Sequence, residues 1–306
     1  MSIDDEQRAA EVRLYSQYGL SSQERFIEAA GIRLRVVEVA GDPALPPVVL
    51  LHGAASVTAA AIPLIPAFGG ARVIALDWPG HGLSGPARLG PRTDLRALAI
   101  EIMDAVAAEF ALDRFDVVAH SLGGQLALYF CLARQSRVRR LVLLGAPGAA
   151  FGGLKAAGGF GPLAIPVIGS LLLRIPVSRE QYGKNSALTL GAGTVDDWPR
   201  ELVDVGWFAS RRSAFKRTVP GLFRAIVGGG AVRPGIGVSV EELAALSIPV
   251  LFVWGNADVF ASPSDAKDWI DAVPGASLVE LAAGHAPWLN KPEEAASAVR
   301  SFLRAD

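Results

Sequence analysis

A serine hydroxyl attacks a carbonyl carbon only when a base removes its proton, and that base needs an anion to fix its tautomer and stabilise its charged form. One serine in this chain of 306 residues has a setting suited to that work. In Phe115-Asp116-Val117-Val118-Ala119-His120-Ser121-Leu122-Gly123-Gly124, a buried strand runs straight into a small-x-Ser-x-Gly turn and then into a helical stretch, Leu122–Arg134. A sharp strand-to-helix turn of this kind lifts Ser121 Oγ above a sheet and sets it at a helix N-terminus, where backbone amides favour developing negative charge. The small residues have a mechanical reason, since a larger side chain at Ala119, or any Cβ at Gly123, would collide with the neighbouring strand or helix. No other Ser-x-Gly occurs in the chain.

Four histidines compete for the role of base: His52, His81, His120 and His285. His120 belongs to the turn itself and is expected to point away from Ser121 Oγ. His52 is expected to be a structural hydrogen-bonding residue beneath the turn that follows its strand. His285, in Leu281-Ala282-Ala283-Gly284-His285-Ala286-Pro287, follows the last strand at the end of the sheet that also carries Ser121, and is the candidate base. The candidate acid is Asp258 in Trp254-Gly255-Asn256-Ala257-Asp258, just past a strand end; the order Ser, Asp, His is the one that a strand-turn-helix nucleophile uses. Asp265 and Asp268 fall in the following helix and read as capping or solvated residues. Asp116 lies inside a strand, and Gly145-Ala146-Pro147 leaves no acid after Arg140–Leu144. The turn His52-Gly53-Ala54-Ala55 can aim backbone amides over Ser121, so the N–H groups of Ala54 and Leu122 are the candidate oxyanion hole.

The elements needed to hold these groups are legible. Residues 24–29 and 32–39 form β-type runs separated by Ala30-Gly31, which predicts a hairpin. Four compact apolar runs follow, Pro47–Leu51, Arg72–Asp77, Phe115–Ala119 and Arg140–Leu144, with helical patterns at Thr93–Phe110 and Leu122–Arg134. The rhythm resumes at Pro249–Trp254, a helix near Ser264–Val273, a strand at Ser277–Leu281 and a terminal helix from about Glu293 to Leu303. Alternating units of this kind predict an α/β protein with a doubly wound, mainly parallel sheet. Between Pro147 and about Glu241 the alternation stops, which predicts a mainly helical insertion after the sixth strand, with Gly228-Gly229-Gly230 as its exit hinge. The expected organisation is a core of residues 1–147 and 242–306, interrupted by a helical cap over 148–241.

At this point the sequence resembles the capped, single-chain members of the α/β-hydrolase superfamily. The resemblance runs from about Arg25 to Leu303 and rests on the His52-Gly53 turn, Asp77-Trp78-Pro79-Gly80-His81-Gly82-Leu83-Ser84, the elbow at Ser121, Asp258, and Gly284-His285-Ala286-Pro287. It implies a structural, pocket-shaping role for the Asp77–Ser84 loop and none in catalysis for His81. Two departures stand out: Ala119 replaces the glycine usual at the start of the elbow, and Asn290 stands where many relatives have Glu. Because the elbow carries Ser121, and the insertion offers only Tyr182, the epoxide-opening and halide-displacing branches, which use Asp there, are disfavoured. The implied activity is hydrolysis of an ester or similar acyl substrate. C–C bond hydrolysis of vinylogous ketone acids and cofactor-free perhydrolysis are alternatives within the same architecture, and a non-catalytic ligand-binding member is the alternative of another class. For the C–C reaction, Arg200, Arg211, Arg212 or Arg217 could hold the substrate carboxylate, although their clustering in sequence reads more simply as a solvated face.

Composition narrows the choice. The chain is 51% apolar and 19% charged, with 29 basic and 30 acidic residues, which argues against disorder and against a basic nucleic-acid-binding surface. The single cysteine, Cys131, cannot form an internal disulfide and is expected in the core. The acidic start Met1-Ser2-Ile3-Asp4-Asp5-Glu6 does not read as a secretory signal, so a cytoplasmic location is expected. The charge-free stretch Ala156–Leu173 is interrupted by Gly158, Gly159, Gly161, Pro162, Pro166 and Gly169, which argues against a transmembrane span and for a buried or half-exposed apolar flap. No metal-ligand spacing or phosphate loop is present, and Gly191-Ala192-Gly193-Thr194-Val195-Asp196 fails the dinucleotide pattern, so no cofactor is expected. The mean hydropathy of +0.35 is high even for a folded enzyme, and parallel strands buried on both faces take up part of it. The surplus falls at Phe160–Leu173, predicting a greasy pocket for small apolar acyl or aryl substrates.

Overall fold

The computed structural model describes residues 2–151, 161–190, 195 and 198–305. Eight strands form one sheet: β1 Ser22–Ala29, β2 Ile32–Val39, β3 Val48–Leu51, β4 Val73–Leu76, β5 Phe115–His120, β6 Val138–Leu144, β7 Val250–Gly255 and β8 Ser277–Leu281. Their order is β1-β2-β4-β3-β5-β6-β7-β8. The β1–β2 and β2–β4 pairs are antiparallel, and every other pairing in the sheet is parallel. The longer helices are α1 Ile3–Gln17, α2 Leu95–Glu109, α3 Leu122–Ala133, α4 Arg179–Leu190, α5 Arg200–Arg211, α6 Ser213–Ile226 and α7 Pro292–Arg304.

Successive side chains of a strand point to opposite faces, and the central strands obey this with apolar residues on both sides. Val49, Leu51, Val117, Ala119, Leu141 and Leu143 pack on the face covered by α2 and α3. Val48, Leu50, Val118, Val142 and Leu144 pack on the other, with α1, the 3-10 turns of Thr58–Phe68 and α7. Helices on both faces are what a doubly wound sheet requires. Cys131 is fully buried in the first of these cores, and burial pushes its thiol pKa up.

The region between β6 and β7 is helical, carrying α4, α5 and α6 together with short turns at Gly161–Ala164 and Ile168–Leu172. Of the charge-free stretch, residues 156–160, Phe160 among them, lie outside the described residues, as do 191–194 and 196–197 of the glycine-containing stretch. No helix among the described residues is long and apolar enough to cross a membrane. The residues expected as an exit hinge instead make a tight hairpin: Val227–Gly228 pairs with Ala231–Val232, and Gly229 and Gly230 turn with φ of 62° and 80°. Both ends of this helical region are fastened to α3 by one side chain. Gln125 Oε1 accepts from Ala149 N–H, and Gln125 Nε2 donates to Ile236 O.

Helix α1 ties the two parts together. Its start is fixed by a capping box between Ser2 and Asp5. Its Glu11 is buried against Arg35 of β2, which also reaches Glu24 and Asp77. On the opposite side, Gln17 donates to Glu201 of α5, and Asp4 pairs with Arg212 between α5 and α6.

Candidate active site

Every strand that carries a candidate group delivers it at its carboxyl end. β3 and β5 are neighbours, so the turn after β3 lies beside the turn after β5. At the β5 turn, Ser121 has φ 52° and ψ −122°, a left-handed geometry that costs an L-residue about 1–3 kcal/mol and persists only where the surroundings hold it. Its N–H donates to Leu144 O, and its carbonyl accepts from Gln125 N–H as α3 begins. The approach of β3 is close: a Cβ on Gly123 would stand 2.6 Å from His52 O and 2.7 Å from Leu51 O. Only glycine fits there.

The candidate base and acid meet. His285 Nδ1 donates to Asp258 Oδ2 at 2.8 Å, and both residues are buried. The same Oδ2 accepts from Ala146 N–H at 2.9 Å, and Oδ1 accepts from Phe260 N–H at 2.9 Å. A carboxylate that accepts three hydrogen bonds is oriented on both oxygens. With Nδ1 donating, the neutral imidazole keeps its lone pair on Nε2. That atom is buried without a hydrogen-bond partner among the described residues, and His285 borders the same cavity as Ser121. Phe260 packs on the imidazole at a centroid separation of 4.4 Å.

The remaining histidines are structural, and one does more than the sequence suggests. His120 Nε2 donates to His285 O at 3.0 Å, and its ring sits 4.7 Å from those of His285 and Trp288. It therefore fixes the backbone of the candidate base. His52 Nδ1 donates to Gly53 O while Nε2 accepts from Trp78 N–H. His81 Nδ1 donates to Pro79 O, and Nε2 accepts from Ala55 N–H at 3.1 Å. Burial holds all three below the ordinary imidazole value, His81 at about 3, so all are neutral. Neutral His81 can accept the Ala55 amide, and this leaves the adjacent Ala54 amide without a protein acceptor among the described residues. Leu122 N–H is likewise unpaired at the start of α3. Both residues border the cavity.

Two of the three rival acids are engaged elsewhere. Asp116 is held by both ends of the Arg139 guanidinium; Asp265 lies in the turn before the helix Lys267–Ala272, not within the helix as expected, and accepts from Ser262. Asn290 Oδ1 accepts from Gly284 N–H, so the residue that departs from the usual Glu still steadies the loop of His285.

Above these groups lies a cavity of about 740 Å³. Its wall is apolar along Leu163, Leu173, Trp207, Phe215 and Phe223, contributed by the helical region between β6 and β7. Three cations, Arg174, Arg211 and Lys216, border it, and no Asp or Glu does among the described residues. Of the four arginines suggested by the sequence, Arg211 alone reaches the cavity, lying 4.5 Å over the Trp207 ring. Arg212 is taken up by Asp4 and by the carbonyls of Gly82 and Ser84.

A model of the Alpha/beta hydrolase family matches residues 48–298. The chain belongs to this family. Two relatives named for different reactions are comparably similar. The 2-hydroxy-6-oxononadienedioate/2-hydroxy-6-oxononatrienedioate hydrolase 1 of Dechloromonas aromatica is 29% identical over 245 residues, 76% of this chain and 77% of the relative. The pimeloyl-[acyl-carrier protein] methyl ester esterase of Nitrosomonas europaea is 29% identical over 227 residues, 73% of this chain and 81% of the relative. In fold, the carboxylesterase CesB of Bacillus subtilis superposes with a TM-score of 0.75 at 20% identity, over 99% of both chains. The relatives are hydrolases, and so is this α/β-hydrolase.

Proposed function

We propose that this α/β-hydrolase cleaves apolar carboxylic esters through an acyl-enzyme on Ser121. The observation that carries the reading is the buried Asp258–His285 pair, its Nε2 without a hydrogen-bond partner among the described residues, with His285 bordering the same apolar cavity as the strained Ser121. Ser121 Oγ adds to the ester carbonyl carbon as its proton passes to His285 Nε2. The amides of Ala54 and Leu122 donate to the oxyanion that forms, and Asp258 stabilises the imidazolium. Collapse of the tetrahedral intermediate breaks the C–O bond, and His285 returns the proton to the departing alcohol. Water then adds to the acyl carbon as its proton passes to His285, the bond from that carbon to Ser121 Oγ breaks, and His285 returns the proton to Oγ as the acid leaves. Residues 1–147 and 242–306 supply these groups, and 148–241 form the cap that encloses the substrate.

Ser121→Ala tests the assignment. It should abolish turnover of a p-nitrophenyl ester and labelling by a fluorophosphonate probe; an undiminished rate refutes the role of Ser121. A second reading, C–C bond hydrolysis of a vinylogous ketone acid, is favoured by Arg174, Arg211 and Lys216 on a wall without a carboxylate. A screen of aryl esters against ring-fission dienoates separates the two, because the ester reading requires the higher kcat/KM on the ester.

A further inference from the structure

Large apolar side chains scattered singly over a surface are ordinary, but a contiguous apolar face rimmed by cations marks an interaction site. Such a face lies between Ile165 and Ile175. Val167 is 69% exposed, Ile175 60% and Leu171 53%, and Ile165, Ile168 and Leu172 are exposed beside them. From Ala156 to Val177 the sequence holds no acidic residue, and Arg174 is its only charge. Arg174 and Arg224 border a shallow groove together with Val167 and Leu171, and neither makes an ion pair with a described residue.

We propose that this face docks on an anionic lipid surface. The site of the patch supplies the first reason, since Leu172, Arg174 and Ile175 belong both to the exposed face and to the border of the cavity over Ser121. An apolar ester dissolved in lipid would then reach the cavity without crossing water. The charge supplies the second. Exposed aliphatic side chains with arginines at their edge suit the boundary between acyl chains and anionic headgroups, where each cation near the surface strengthens binding about fivefold. The same charges disfavour a second copy of the chain as occupant. A two-fold contact sets a patch against itself, and this one would bring its arginines together with no acid to pair them. The short turns at Gly161–Ala164 and Ile168–Leu172 suit a segment that lies on the surface and not across it.

Docking stands apart from the chemistry, although its use in delivering substrate rests on the ester-hydrolase reading, so the two are tested separately. Cosedimentation with vesicles of phosphatidylcholine containing phosphatidylglycerol, and with phosphatidylcholine alone, measures docking. The full-length protein should bind the anionic vesicles, bind the neutral ones more weakly, and be released by salt. Val167→Glu/Leu171→Glu, at two side chains outside the catalytic cavity, should lower binding at least tenfold while turnover of a short water-soluble ester stays unchanged. Arg224→Gln should lower binding about fivefold and only on the anionic vesicles. No binding by the parent protein, or binding indifferent to these substitutions, overturns the proposal. So does a dimer in solution that the double substitution converts to a monomer, which would assign the face to a second copy. Ser121→Ala should bind vesicles as the parent does, so loss of catalysis and loss of docking are read independently.

Discussion

Asp258→Asn preserves the size of the side chain and replaces one acceptor oxygen by a donor. All three partners of the native carboxylate donate: His285 Nδ1 and Ala146 N–H to Oδ2, and Phe260 N–H to Oδ1. The asparagine therefore has two unequal placements. With its NH2 at the Oδ2 position, the bond from Ala146 is lost and His285 is driven to the tautomer that carries hydrogen on Nε2, a buried donor without a partner that cannot accept the proton of Ser121. With its NH2 at the Oδ1 position, only the contact to Phe260 is lost. At about 1 kcal/mol per hydrogen bond, and about 1–3 kcal/mol for a buried donor left unpaired, the second placement is favoured by about 1–3 kcal/mol. The tautomer is then kept and the charge is what disappears. Between unit charges about 4 Å apart, at an effective dielectric constant of 20, that charge is worth about 4 kcal/mol to the imidazolium of the transition state. The expected outcome is a kcat lower by about 10²–10³-fold with KM little changed, and fluorophosphonate labelling slowed by the same factor. Steady-state kinetics on a p-nitrophenyl ester measures it. A loss of about 10⁴-fold or more, the scale of a wrong tautomer, would refute the placement argued from the three donors, and a loss below tenfold would refute the role of the charge.

Two further outcomes follow from the packing around the pair. Gly145 has φ +65°, and a Cβ there would stand 2.4 Å from His285 O and 3.1 Å from His285 Nδ1, so Gly145→Ala must displace the base. A fall of about 10²-fold in kcat is expected for a misplacement of about 1 Å, with about 1–2 kcal/mol of lost stability from the left-handed backbone; kinetics and urea unfolding check both, and an unchanged kcat counts against the geometry. The neutral histidines set a pH dependence of stability. His52, His81 and His120 are held below the ordinary value by burial, so the unfolded chain takes up protons first. Their contribution is complete above about pH 6.5 and falls as pH drops, by at most about 1.4 kcal/mol per pH unit for each, continuing for His81 toward about pH 3. Urea unfolding between about pH 7 and pH 5 should show this decline, and a flat profile would refute neutral burial.

The strands were legible because each central one is a short apolar run ending in Gly, Asp or His, and the structure shifts their ends by two residues at most. Helix α1 was not legible as an anchor. Its buried residues mix Gln7 and Glu11 with Ala10, Leu14 and Tyr15, and the two polar ones have no evident reason to be inside until Arg35, on another element, is brought against Glu11. A capping box at Ser2 and Asp5 was the available signal. The apolar stretch before Ile175 was legible as a buried or half-exposed flap, but not which of its side chains stand open, because composition says how much apolar surface exists and not which face of it a neighbour covers. Likewise, the turn at Gly228–Gly230 has the residues of a hinge and of a hairpin alike, and only the pairing of Val227 with Val232 distinguishes them.

The stretch after β6 shows most clearly what spacing can and cannot convey. In the sequence, Gly145-Ala146-Pro147 served by elimination, since a strand end without an acid left Asp258 as the candidate. In the sheet, β6 lies beside β7, so the residue after β6 faces the carboxylate delivered after β7. An acid at Gly145 would place a side chain where His285 and Asp258 meet. Glycine there makes room for the pair, and the next amide, Ala146, donates to the oxygen that also holds His285. The contribution is made by a backbone N–H and by a missing Cβ, two things that a search for reactive side chains passes over. His120 completes the same arrangement from β5, since the residue before the candidate nucleophile holds the carbonyl of the candidate base. Two adjacent strand ends therefore steady a dyad that two other strands deliver, and the precision of the site is a property of strand order before it is a property of the three side chains.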